Sequence, residues 1–70
     1  TGVKKDNFKA VEYFEKACEL DNGRGCYNIG IMYENGKGVK KDIPKALEYF
    51  GKTCDLRIDK GCQAYARLKR

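Results

Sequence analysis

Shifted against itself by 36 residues, the chain matches itself at fifteen of the 34 overlapping positions, and this duplication limits the fold more than any other feature of its 70 residues. Gly2-Val3-Lys4-Lys5-Asp6 falls on Gly38-Val39-Lys40-Lys41-Asp42, Cys18 on Cys54 and Cys26 on Cys62. Lys9, Ala10, Glu12, Tyr13, Phe14, Lys16, Leu20 and Gly25 each meet their own kind as well. A period of this length is the mark of a helical hairpin that is copied and stacked. One hairpin cannot bury its apolar face alone, and a neighbouring copy supplies the cover. The repeat divides a single solenoid fragment, residues 1–70, into a first unit at 2–37 and a second at 38–70.

Apolar spacing within each unit is helical. Asp6 is suited to cap a first helix over Asn7–Leu20, in which Ala10, Tyr13, Phe14 and Ala17 fall at i, i+3, i+4 and i+7 and predict one buried stripe. Ala46, Tyr49, Phe50 and Thr53 repeat the stripe in a third helix that starts after Asp42, with Pro44 in its first turn. Asp21-Asn22-Gly23-Arg24-Gly25 breaks the first helix and turns the chain back into a second, roughly Arg24–Glu34, carrying Cys26, Ile29, Gly30 and Tyr33. Gly30 costs a helix about 1 kcal/mol relative to alanine, which points to close approach of another helix. Asn35-Gly36-Lys37-Gly38 suits a left-handed C-cap. Thr1–Lys5 reads as a loop, because its copy lies between two helical patterns; the chain then starts in mid-repeat, as a piece of a longer solenoid would. In the fourth helix, about Asp59–Leu68, Arg67 and the following Lys69 and Arg70 stand where Ile31, Tyr33 and Glu34 stood. A terminal cap repeat needs such a polar outer face, so Arg70 is expected at or near the natural C-terminus.

A unit this short buries little core, and staples are expected. Four cysteines supply them. Of the three possible pairings, a unit copied whole should carry its own closed bridge, Cys18 to Cys26 and Cys54 to Cys62, each joining the end of one helix to the start of its antiparallel partner. Each closes a loop of nine residues, worth about 2.5 kcal/mol in the chain-entropy model. Zinc is a poor alternative, since the pairs lack the C-x₂-C spacing and the chain has no histidine. No metal or cofactor is expected. Disulfides place the chain in an oxidising compartment, secreted or periplasmic. No apolar run approaches the length of a membrane span, and no signal peptide lies within these residues, so the targeting segment of an exported protein is expected to lie outside them. The net charge of +5 is spread over both units and interleaved with Glu and Asp, which argues for a solvated helical surface rather than a nucleic-acid footprint.

Ala10-Val11-Glu12-Tyr13-Phe14-Glu15-Lys16-Ala17 resembles the first-helix signature of the Sel-like repeat, a relative of the tetratricopeptide repeat. Ile29 to Asp42 resembles the second helix and following loop of that repeat. With the paired cysteines the chain is similar to the Helicobacter-type cysteine-rich proteins, secreted solenoids with one disulfide per repeat. The resemblance implies an all-α, right-handed superhelix of antiparallel helix pairs with a concave face for partners. Some members are described as penicillin-binding or weakly β-lactam-hydrolysing, and others as acting on host cells. Gly51 and Thr53, in place of Glu15 and Ala17, are departures that weaken the second repeat as a binding surface.

With neither serine nor histidine, the chain supplies no Ser-x-x-Lys acylation site and no zinc-histidine site. Thr1 and Thr53 are the only aliphatic hydroxyls, and no activating base stands near either in sequence. Glu12 and Glu15 are expected to pair with neighbouring lysines rather than to act as acid and base. A second stripe, Lys9, Glu12, Tyr13 and Lys16, recurs as Lys45, Glu48, Tyr49 and Lys52. On helices lining a concave face it would offer amphipathic tyrosines and charges to a peptide, a host protein or a peptidoglycan fragment; the alternative is that Tyr13 and Tyr49 only pack between repeats. The expectation is a monomeric, non-catalytic interaction module, with β-lactam hydrolysis and a purely structural end cap as the other readings.

Overall fold

The computed structural model describes the chain from Gly2 to Arg70, with side chains from Asn7 onward. Four helices follow one another: α1 (Gly2–Glu19), α2 (Gly23–Asn35), α3 (Ile43–Asp55) and α4 (Asp59–Lys69). The Cα atoms fill a slab of 35 × 26 × 14 Å. At 14 Å it is two helices deep, given a Cα cylinder of about 2.3 Å radius and interaxial distances of about 8–10 Å. The interior is therefore a single seam.

Each hairpin is closed by its own bridge, Cys18–Cys26 and Cys54–Cys62, with Cα atoms 4.5 Å apart in both. Glycine makes that approach possible. Gly25 and Gly61 precede the second cysteine of each pair, and a Cβ on them would stand 2.6 Å from Ala17 Cβ and 2.5 Å from Thr53 Cβ, the residues preceding the first. Between hairpins the seam is built on Phe50 and Ile29, both fully buried, with Val11, Met32, Tyr33 and Ala46 around them. The close approach expected at Gly30 is to the Phe50 ring, whose Cε1 would lie 2.7 Å from an added Cβ. Thr53, fully buried, donates its hydroxyl to the Tyr49 carbonyl at 2.8 Å, so its polar atom is satisfied within α3.

Both hairpin turns use the same device. Asp21 (φ 63) and Arg57 (φ 67) take the left-handed conformation. The next residue then donates back across the helix end, Asn22 N–H to Ala17 O and Ile58 N–H to Thr53 O, as in a Schellman ending. In the first turn the segment expected to break the helix does so through Asp21 rather than through either of its glycines. Asn22 caps α2 by accepting from Gly25 N–H at 3.0 Å. Its counterpart Ile58 makes no side-chain cap, and packs instead where a Gly23 Cβ would stand. Gly36 (φ 68) ends α2 and Asp42 caps α3 through Lys45 N–H, as expected.

Two expectations are corrected. Gly2–Lys5 is helical rather than a loop, and α1 starts at Gly2, so Asp6 lies inside it and is not its N-cap. The identical run at Gly38–Asp42 is a loop because it follows a finished helix and because Gly38 (φ 78) sits against the Asn7 carbonyl, 2.8 Å from where its Cβ would be. The buried stripe on α1 is also rotated: Val11 and Cys18 are buried, Ala10, Phe14 and Ala17 are half-buried, and Tyr13 is 70% exposed. Phe50 and Tyr49 are covered by α2, and among the described residues no helix covers Phe14 and Tyr13 in the same way. No helix is long and apolar enough to cross a membrane among the described residues.

Candidate functional site

The two halves of the charged and aromatic stripe run along α1 and α3. Lys9, Glu12, Tyr13 and Lys16 are exposed on α1, with the Tyr13 ring edge-on to Phe14 at 5.4 Å. On α3, Lys45 and Glu48 are exposed, whereas Tyr49 and Lys52 are half-buried. Tyr49 stacks on Tyr33 of α2, centroids 5.7 Å apart and planes 13° from parallel, so this tyrosine packs between repeats. Tyr33 donates its hydroxyl to Glu15 at 3.3 Å, and Lys45 lies over the other side of the cluster, 5.2 Å from the Tyr33 ring centre. Burial, followed by the nearby Glu15 carboxylate, pushes the Tyr33 phenol above its ordinary value; burial does the same to Tyr49.

Lys52 ties the hairpins together. Its ammonium donates to the Cys18 carbonyl at 2.9 Å, at the C-terminal end of α1, and lies 3.4 Å from Asp21. A cation at that end also meets the negative pole of the helix. The lysine pairing expected of Glu12 and Glu15 is not found: Glu15 serves Tyr33, and the ion pairs among the described residues both join different parts of the chain. The second is Arg67 on α4, donating to both Glu34 oxygens at 2.7 and 3.1 Å and holding that carboxyl below its usual range. Arg67 thus replaces an apolar residue of the first repeat with a clamp back onto α2.

A feature the stripe did not anticipate is a groove of about 690 Å³ along the outer side of α3. Its floor is apolar, from Pro44, Leu47, Gly51, Leu56 and Tyr65; Glu48, Lys52, Asp55 and Asp21 form the rim. Gly51 stands where the first repeat has Glu15, and an added Cβ there would make only ordinary contact with the Tyr65 ring, at 3.5 Å. The signal was in the sequence, as a departure from the repeat. Its consequence is an opening along α3. A smaller apolar recess is lined by Tyr13, Lys16, Ala17, Leu20 and Asn22.

Thiol chemistry has no free group to start from, since all four cysteines are in bridges. Thr53 is buried and engaged, and Thr1 lies outside the described residues. The arrangement is suited to contact: apolar floors, flanking charges and rings held edge-on or stacked.

A family model described as Sel1 repeat matches residues 1–22 and 23–57, a frame whose second match runs from α2 through α3. Three relatives come from Helicobacter pylori. "Beta-lactamase HcpA" of strain J99 is 57% identical over 37 residues, 51% of this chain and 15% of the relative. "Putative beta-lactamase HcpC" of strain 26695 is 50% identical over 34 residues, 49% of this chain and 12% of the relative. "Putative beta-lactamase HcpE" of strain 26695 is 53% identical over 30 residues, 43% and 8%. The matched stretch is thus at most 15% of the length of these proteins.

Proposed function

The chain belongs to the Sel1 repeat family, and from that membership we propose that it is a non-catalytic protein or peptide interaction module of an exported, disulfide-rich repeat protein. The observation that carries this reading is the open groove on α3, with its apolar floor and charged rim, together with a separate stripe of exposed lysines and tyrosine on α1. Concave surfaces of helical solenoids bind extended or helical segments through such alternation of anchors and charges. Export is supported by the two bridges, which persist only where thiols are not kept reduced.

The reading is tested by titrating the ¹⁵N-labelled, oxidised chain with peptidoglycan fragments and with peptides from host surface proteins. Saturable shift changes at Lys9, Tyr13, Lys45 and Tyr49, or along the α3 groove, are expected with at least one class. Silence with all of them contradicts the proposal and leaves the end-cap reading.

The printed names of the relatives favour a second reading, β-lactam hydrolysis. The chain's chemistry favours it less, because serine and histidine are absent, the cysteines are bridged, and burial raises the Tyr33 phenol, which leaves less phenolate to attack a carbonyl. Intact mass spectrometry after incubation with penicillin separates the two: an adduct on the folded chain supports hydrolysis through an acyl-enzyme.

A further inference from the structure

α2 and α4 both pack on α3 and hardly touch one another, so a furrow of about 330 Å³ runs between them. Tyr27 of α2 forms one wall, and Lys60, Gln63, Ala64 and Arg67 of α4 form the other. The floor is firm and apolar. Ala64 is buried, and the Tyr27 ring leans on the fully buried Phe50, with centroids 5.8 Å apart. Both hairpins that bound the furrow are already in place. Arg24, the α2 residue that matches Lys60 in the repeat, stays exposed although the second hairpin is packed against the first. A further repeat stacked in the same way therefore leaves Lys60 open too.

The α4 wall is more basic than its α2 counterpart. At four matched positions α2 carries Arg24, Tyr27, Asn28 and Ile31, where α4 carries Lys60, Gln63, Ala64 and Arg67. The last exchange puts two cations on one face of α4, seven residues and so about 10.5 Å apart. Among the described residues Lys60 is in no ion pair, and Arg67 gives Glu34 only two of its five N–H donors. The carboxylate of α4 itself, Asp59, is exposed at the first residue of the helix, where the positive pole of α4 holds it.

We propose that this furrow docks an acidic, amphipathic helical segment of a partner protein, with an apolar residue between two carboxylates seven residues apart, as in Glu-x₂-Leu-x₃-Glu. The inference goes beyond the interaction-module reading, because the furrow shares no residue with the α3 groove or the α1 stripe. Carboxylates at i and i+7 of a helix stand about 10.5 Å apart, which is the spacing of the two cations. One carboxylate meets Lys60. The other meets the remaining donors of Arg67, whose guanidinium Glu34 holds in place. The apolar side chain lies over Ala64 against the Tyr27 ring, and Gln63 offers its amide to the segment's polar groups.

The probe is a fluorescein-labelled, side-chain-stapled helical peptide with that pattern, and a control in which both glutamates are glutamine. Binding to the oxidised chain is followed by fluorescence anisotropy and by ¹H–¹⁵N shifts. The glutamate peptide is expected to saturate, to move the signals of Tyr27, Gln63 and Ala64, and to weaken as salt is raised. The glutamine peptide should bind about tenfold more weakly. Lys60→Glu should cost the glutamate peptide about tenfold, whereas Lys37→Glu, the same change of charge in the loop after α2, should cost less than about twofold. Both lysines are exposed, and far-UV circular dichroism checks that each variant keeps the fold. Equal binding of the two peptides overturns the proposal. Equal losses in the two variants also overturn it, because net charge rather than the furrow would then be the cause. Shifts confined to α1 or to the α3 groove overturn it and leave the interaction-module reading standing. Furrow shifts caused by anionic vesicles or a polyuronate but not by the peptide would make a lipid or a glycan the occupant, and overturn it likewise. No response to the glutamate peptide ends the proposal, whatever the α1 stripe and the α3 groove bind.

Discussion

Arg57 holds a backbone conformation, φ 67, that an arginine tolerates poorly, whereas the matching turn uses Asp21 at φ 63. Aspartate is several-fold enriched in this region and glycine enters it without a steric penalty. Its side chain makes no hydrogen bond or ion pair among the described residues, so little opposes replacement. Arg57→Gly is therefore expected to stabilise the chain by about 0.5–1 kcal/mol, raising the melting temperature by a few degrees in a calorimetric scan. An unchanged or lower value would mean that the turn is not strained. Tyr33 gives a second residue-level expectation. Its folded-state pKa is raised above 10.0, first by burial and then by Glu15. The neutral phenol is thus favoured by folding: that stability is complete below the ordinary tyrosine value and is lost as pH rises through the folded value. Urea midpoints should fall between about pH 8 and about pH 11 in the native chain, and fall less in Tyr33→Phe. Some slope remains in that variant from Tyr49, which is raised as well.

At the scale of elements, the two bridges are alike in loop length but not in surroundings. Cys18 and Cys26 are 2% and 0% exposed, while Cys54 and Cys62 are half-buried. Replacing Cys54 and Cys62 by alanine should cost about 2.5 kcal/mol through the unfolded chain. The same change at Cys18 and Cys26 should cost more, because it also empties packed space. Chemical denaturation of the two double variants checks the order; equal losses would mean that packing around the first bridge adds nothing. The pairing was legible because a copied unit must close on itself, and the third helix was legible because Asp42, Pro44 and its stripe agree with one another. The start of α1 was not. Gly-Val-Lys-Lys-Asp occurs twice with one local sequence and two structures, and the difference lies in what precedes it and in the contact of Gly38 with Asn7. Tyr13 was misplaced for a similar reason. Spacing puts it on the same stripe as Tyr49, but the Tyr33 ring that covers Tyr49 has no counterpart over Tyr13. The groove needed the structure too: Gly51 reads in sequence as a lost side chain, and only the position of Tyr65 turns that loss into space.

As a whole, the molecule is a slab one seam thick that owes much of its rigidity to covalent closure and to long side chains reaching between repeats. Lys52 ties α3 to the end of α1, and Arg67 ties α4 to α2. Charge is distributed unevenly along it. Residues 7–22 carry Lys9 and Lys16 against Glu12, Glu15, Glu19 and Asp21, whereas residues 56–70 carry Arg57, Lys60, Arg67, Lys69 and Arg70 against Asp59 alone. The acidic groove on α3 lies between these ends, and its charge is a local arrangement that the overall +5 conceals. The proposed role has the folded surface recognising a partner rather than transforming one. Initial rates of nitrocefin turnover, for the oxidised chain and for the same chain reduced and alkylated, test that most directly. The account predicts that neither exceeds the buffer rate, and turnover by the oxidised chain that disappears on reduction would contradict it.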